Sequence, residues 1–288
     1  MAPLKYAEHA LTFKCHDEEL VGVLAKPERA SDVGILIIVG GPQYRVGSHR
    51  QFVQLARALA TQGIPALRFD CRGMGDATGV MQSFEDNGPD VAAAIESFRA
   101  QCPEVAKIVL WGLCDAASVA LTYWHATQDS RIAGMALLNP WVRTEAGLAK
   151  AHIRHYYGQR LLDRNFWSKL LRGKIALASA LGGLVRTLTT ARSIGGRDST
   201  AETAEFQDQM AEGLRSFQGP VLLILSGRDL TAKEFLEYCQ SSARWAGLLA
   251  RGNVARHDLP DADHTFSAAA SAREIEMHTL AWLRRSFP

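Results

Sequence analysis

Polar and apolar residues alternate through ALTFKCHDEELVGVLAKP, residues 10–27, in two runs parted by the polar turn His16 to Glu18, which predicts an antiparallel hairpin. The period then changes. Val33 to Val39 is a nearly continuous β-branched run, expected of a strand buried on both faces, and it stops at Gly40-Gly41-Pro42. Arg50 to Gln62 follows with Phe52, Leu55, Ala56 and Leu59 on one helical face and Gly63 as its stop. The unit repeats as strand Ile64 to Phe69, helix Asp86 to Ala100, strand Lys107 to Trp111, helix Ala116 to Thr127 and strand Ile132 to Leu138. Alternation of this kind predicts parallel βαβ units with right-handed crossovers and helices on both faces of a mostly parallel, twisted sheet.

At Trp141 the alternation breaks off. It resumes with strand Pro220 to Leu225, helix Ala232 to Trp245, a strand near Asn253 to Leu259 and a last helix Ser271 to Phe287. No repeat, low-complexity tract or linker divides the chain. The pattern predicts one α/β domain over 1–288, with its core in 1–139 and 217–288 and an inserted helical cap over 140–216.

Composition adds exclusions. With 288 residues, 47% hydrophobic and 22% charged, the chain is of ordinary globular make-up, and a net charge of +2 provides no general basic field for nucleic acid. No apolar run approaches the roughly 18–20 residues that span a bilayer, and MAPLKYAEHA lacks the apolar core of a signal peptide, so a cytoplasmic protein is expected. The five cysteines, Cys15, Cys71, Cys102, Cys114 and Cys239, are scattered and form no CxxC pair, which disfavours a disulfide framework or a zinc knuckle. Each is weighed first as a small buried apolar residue.

One of them has a special context. Trp111-Gly112-Leu113-Cys114-Asp115-Ala116 carries a strand into a helix through a small-x-nucleophile-x-small turn, the nucleophile elbow, with cysteine at the apex where serine is usual. A thiol at a helix N-terminus is acidified by the peptide dipole, and the thiolate is the attacking form. Ser118, a helical turn farther on, is not expected at the apex. Asp229 stands on the loop after the Pro220 strand, where the plain alternative is a helix cap for Ala232 to Trp245. His264 lies in Asp261-Ala262-Asp263-His264-Thr265-Phe266, after the last strand. Acyl transfer also needs two backbone donors for its oxyanion. The amide of Asp115 is one candidate; the other is Gly41, with Gln43 as the alternative, since Pro42 has no N–H.

The hairpin, the Gly-Gly-Pro turn, Phe69-Asp70-Cys71-Arg72-Gly73-Met74-Gly75-Asp76, the elbow, Gly227-Arg228-Asp229 and Asp263-His264-Thr265-Phe266 together resemble the α/β-hydrolase superfamily over nearly the whole chain. The resemblance implies the α/β-hydrolase fold, and the chain order nucleophile, acid, histidine fits it. It gives the Asp70 to Gly79 stretch a structural turn and no chemistry. The cysteine elbow is similar to that of dienelactone hydrolases and of polyester synthases, which are acyltransferases. More narrowly, Trp-Gly-Leu-Cys-Asp-Ala-Ala-Ser and Asn139-Pro140-Trp141-Val142-Arg143-Thr144-Glu145, with His155-Tyr156-Tyr157 and Phe166-Trp167-Ser168-Lys169-Leu170-Leu171, resemble the hydrolases associated with the exosortase A system, of the hydrolase 1 type. That group is tied to bacterial surface-polysaccharide production and protein sorting, without a defined substrate.

The near-neutral total hides an asymmetry. Between Trp141 and Arg197 stand eleven basic side chains against Glu145 and Asp163, so the remainder of the chain is net acidic. Interleaved Tyr156, Tyr157, Phe166 and Trp167 make this either a solvated cap packed by its aromatics or a mouth for an anionic partner: an acyl carrier, an acidic saccharide or a membrane surface on the cytoplasmic side of the inner membrane. His152 and His155 share a helical face with no third ligand, so no metal is expected, and the lack of a P-loop, HExxH or dinucleotide motif leaves no cofactor to expect.

The reading that unites these features is a hydrolase of an ester, lactone or thioester with Cys114 as nucleophile, His264 as base and Asp229 as its orienting acid. Transfer of the acyl group to an alcohol or amine is the alternative, and a non-catalytic binding module on the same fold the second.

Overall fold

The structure, a computed structural model, describes residues 4–143 and 199–288. Eight strands form one sheet in the order β1-β2-β4-β3-β5-β6-β7-β8. These are β1 Tyr6–Cys15, β2 Glu18–Pro27, β3 Val33–Ile38, β4 Ala66–Phe69, β5 Lys107–Leu113, β6 Ile132–Leu138, β7 Val221–Ser226 and β8 Val254–Leu259. The expected hairpin is present: β1 pairs antiparallel with β2, which pairs antiparallel with β4, and every pairing from β4 to β8 is parallel. This is the α/β-hydrolase fold. The unbroken apolar runs are explained by position, since all six residues of β3 and of β7 are buried.

The helices among the described residues are α1 Gln51–Thr61, α2 Gly88–Gln101, α3 Asp115–Thr127, α4 Ser199–Ser216, α5 Leu230–Ser241 and α6 Ala269–Ser286. From β3 the chain crosses through α1 to β4 on one side, then through α2 to β5 on the other. Right-handed crossovers in opposite directions put α1 and α2 on opposite faces, and α1 packs with α6 while α2 packs with α3. The strand order therefore reverses at β3, and the C-terminal ends of β3 and β5, joined side by side through Ile38 and Gly112, border the crevice where open α/β sheets bind ligands.

Several boundaries shift for local reasons. The helix expected from Ala232 begins at Leu230, because Asp229 caps it, and it ends at Ser241 before a separate 3-10 turn Ala243–Trp245. The chain divides into two compact units, Met1–Val142 with Asp208–Pro288, and Arg143–Gln207. The first unit thus takes up the chain again at Asp208, before the expected 217. There Gly213 lets α4 lie against the Leu121 carbonyl, and Trp124 donates to Ser216 Oγ at 3.1 Å. The basic stretch expected in the cap, with His152 and His155, lies outside the described residues except for Trp141, Val142 and Arg143. Among the described residues no helix is long and apolar enough to cross a membrane.

The turn after β4 ties the crevice together. The Asp70 carboxylate, wholly buried, accepts from the Arg45 guanidinium, from the Arg45 amide at 2.6 Å and from the Asp76 amide at 3.0 Å. A Cβ on Gly75, where φ is +53°, would lie 2.3 Å from Asp70 Oδ2, so glycine is needed for this closure. Arg45 lies in the loop that starts at Gly41, so Asp70 anchors that loop from below. The Arg45 guanidinium also pairs with Asp76, so removing the Asp70 carboxylate costs it one ion partner and strips the Arg45 and Asp76 amides of their acceptor. Asp70→Ala is therefore expected to lower the free energy of unfolding by about 3 kcal/mol in a urea titration; a midpoint within error of wild type would show the anchor to be dispensable.

Candidate active site

β5 ends at Leu113 and α3 begins at Asp115, so Cys114 alone makes the change of direction. It does so at φ 65° and ψ −126°, a conformation that residues with a side chain seldom adopt and that persists only where the surroundings impose it. Two small neighbours permit it. A Cβ on Gly112 would lie 2.5 Å from the Ala116 backbone, and at 116 itself only a methyl group enters the turn. The Cys114 amide donates to the Leu138 carbonyl at 2.9 Å, while its own carbonyl accepts from Ala117 at 3.0 Å and Trp141 at 3.3 Å. Ser118 is buried, and its hydroxyl is engaged by the Trp141 backbone, donating to the carbonyl at 2.7 Å and accepting from the amide at 3.1 Å.

The five thiols separate clearly. Cys15, Cys71, Cys102 and Cys239 are buried, and burial raises each of them, Cys239 to about 12. Cys114 alone is partly exposed.

Asp229 and His264 are brought together from loops after β7 and β8. His264 Nδ1 lies 2.8 Å from Asp229 Oδ2. The Asp229 carboxylate also accepts from the amides of Thr231 at 3.0 Å and Ala232 at 3.3 Å, so one carboxylate both caps the helix and contacts the His264 ring. An ionised carboxylate only accepts, which assigns the shared proton to Nδ1 and leaves Nε2 as the basic nitrogen. The Asp229 side chain is 5% exposed and that of His264 36%, a buried carboxylate beside a more accessible ring. His264 also acts electrostatically on Asp115, the neighbour of Cys114.

The His264 loop is held by residues to which the sequence analysis gave no role. Buried Asn139, with φ 44°, donates through Nδ2 to Ser226 Oγ at 2.9 Å and to the His264 carbonyl at 3.2 Å, and its Oδ1 accepts from the Ser226 amide at 2.8 Å. Ser226 Oγ in turn donates to the Asp263 carbonyl at 2.9 Å. An asparagine at a strand end, before Pro140, was the available signal, since after glycine Asn is among the residue types that best tolerate left-handed backbone.

The expected oxyanion donors stand differently. The Gly41 amide donates to Asp115 Oδ2 at 2.8 Å rather than facing open space, and the alternative, the Gln43 amide, donates to the Gly41 carbonyl at 2.8 Å. Asp115 Oδ1 accepts from the Ala116 amide at 2.9 Å. Burial pushes the Asp115 carboxyl above the ordinary carboxylate value, against the opposing effect of the amides of Gly41, Ala116 and Asp115 itself and of His264. The cause is the strand order, which sets the loop after β3 beside the start of α3. Next to this loop opens a cleft of about 440 Å³ lined by Pro42, Gln43, Tyr44, Met74 and Met81.

A family model described as serine aminopeptidase, S33 (Hydrolase_4) matches residues 34–235. Among solved structures, an esterase of Pyrococcus furiosus is similar at TM-score 0.64 and 17% identity, over 99% of this chain and 94% of that one. An α/β serine hydrolase homologue from Coxiella burnetii gives 0.59 and 13%, over 96% of each chain. An α/β serine hydrolase without lid from Xanthomonas campestris gives 0.59 and 16%, over 98% and 95%. No curated protein matches. At these identities the structures establish the fold.

The contrast among the thiols is directly measurable. In the folded protein a disulfide reagent such as DTNB should modify a single thiol rapidly, the rapid phase should vanish in Cys114→Ala, and the other four should react only on unfolding. A second thiol reacting as fast would contradict the assignment.

Proposed function

We propose that this chain, which belongs to the family described as serine aminopeptidase, S33, hydrolyses a carboxylic ester, lactone or thioester through an acyl-thioester on Cys114. The observation that carries the reading is the 2.8 Å pairing of His264 with Asp229, which supports Nε2 as the base, since both loops follow strands whose C-terminal ends lie on the side of the sheet where Cys114 turns. Cysteine here replaces the serine of the family's description.

In the proposed reaction His264 Nε2 takes the proton of Cys114 Sγ, and the sulfur attacks the acyl carbonyl carbon. The tetrahedral intermediate expels an alcohol or thiol, which receives the proton from His264. Water, deprotonated by the same nitrogen, then attacks the thioester carbon; the C–S bond breaks, the acid departs and the thiol regains its proton. Asp229 balances the imidazolium charge in both halves. A thiolate leaves a tetrahedral centre more readily than an unprotonated amine does, which favours esters and thioesters over amides.

The resemblance to exosortase A-associated hydrolases supports a narrower proposal. The inserted cap over 140–216 would then recruit an anionic acyl donor through its basic side chains. The cytoplasm is the proposed location, because a reducing compartment preserves the thiol of Cys114.

Incubation with p-nitrophenyl acetate followed by intact-mass analysis is expected to show one acetyl adduct on wild type and none on Cys114→Ala, with acylation slowed at least about 100-fold in His264→Ala. Absence of any adduct, or an adduct retained in Cys114→Ala, would refute the mechanism. An adduct that decays only when an alcohol or amine is supplied would convert the reading from hydrolase to acyltransferase.

A further inference from the structure

The side chain after the nucleophile occupies a seat with the donors that acyl transfer requires. Asp115 Oδ2 holds the Gly41 amide at 2.8 Å, Oδ1 holds the Ala116 amide at 2.9 Å, and the amide of Asp115 itself also stabilises the charge. Gly41 and Asp115 are the two amides that a tetrahedral oxyanion above Cys114 would need. The seat is shaped for this occupant: a Cβ on Gly40 would lie 1.9 Å from Asp115 Oδ1, so only glycine there leaves room for the carboxylate. An acid at the start of a helix ordinarily serves that helix's own amides. This one serves its own helix only through Oδ1 and with Oδ2 reaches a residue 74 positions earlier in the chain.

We propose that the Asp115 carboxylate is an internal occupant of the oxyanion position, a gating group that an acyl carbonyl must displace before Cys114 is acylated. The inference rests on the nucleophile assignment made above. Two oxygens cannot share one pair of N–H donors, so substrate entry requires the Asp115 side chain to rotate out. A carboxylate binds such donors more strongly than a neutral carbonyl oxygen does. The resting enzyme is therefore slowed toward weakly held acyl groups, and substrates anchored elsewhere on the protein supply the displacement more readily.

Two reactions of the same thiol isolate the effect. Acylation by p-nitrophenyl acetate builds an oxyanion, whereas alkylation by iodoacetamide displaces iodide at carbon and builds none. Asp115→Ala keeps all three amides and removes only the plug. It is expected to accelerate acylation about tenfold or more, within the range that oxyanion donors command, while alkylation changes by less than about threefold. Asp115→Asn, which keeps the shape and one acceptor oxygen without the charge, should fall between, and it serves as the folded control if the alanine variant melts early.

Parallel acceleration of both reactions would overturn the proposal, because the carboxylate would then act only through its field on the thiol. Unchanged or slower acylation in both variants, with lower melting temperatures, would reduce Asp115 to a helix-terminal acid. If wild type and variants alkylate normally at Cys114 yet none acylates, the hydrolase reading fails and takes this inference with it. Acylation equal in wild type and variants sinks the gate alone.

Discussion

The single-residue reversal at Cys114 is the constraint around which the rest of the molecule is arranged. A strand that becomes a helix within one residue must hold that residue at a backbone angle it would not choose, and the cost is met by close packing on every side. Gly112 is glycine because the Ala116 backbone lies where a side chain would be, and Ala116 is small because the turn leaves no more room. Carbonyls and amides of Leu138, Ala117 and Trp141 then fix the apex from the neighbouring strand end and from the helix itself. Because β3 is the strand beside β5, the loop at Gly40 and Gly41 is brought against the same apex, and its dimensions are set by what stands there.

Buried polar groups keep the loops around this apex in place. Asn139 and Ser226 exchange hydrogen bonds across the ends of β6 and β7 and hold the loop that carries His264, while Asp70 gathers the Arg45 loop and its own turn. In both places a side chain does the work of secondary structure. Irregular backbone has no ladder to satisfy its amides and carbonyls, and a fully bonded buried network makes one loop geometry much better than its alternatives.

This distinction explains what the sequence made legible. Runs such as Val33 to Val39, and the alternating pattern of residues 10–27, record burial on one or both faces, so the sheet and its hairpin could be read directly. The elbow was visible because its demands on residue size are local, falling on positions 112, 114 and 116. The meeting of Asp229 with His264 was legible because chain order and loop position put both at the ends of neighbouring strands. The destination of the Asp115 carboxylate was not, since its partner at Gly41 is adjacent only after β3 and β5 have paired; nor was the role of Asn139, whose partners lie beyond the inserted segment. Contacts created by strand order leave no trace in local periodicity.

Asp229 accepts from two amides at the head of α5 and from the ring of His264 with one carboxylate. Its retention among descendants of this chain is therefore secured twice over, and a lineage that abandoned acyl transfer would still keep the aspartate to preserve its helix. Cys114 starts α3 through its backbone, whose carbonyl accepts from the Ala117 amide whatever the side chain, and the cap of α5 comes from Asp229 and not from the His264 ring. Under the proposed reaction, loss of chemistry in evolution should be recorded first in the side chains of Cys114 and His264, with the acid persisting as a conserved residue in proteins that no longer react.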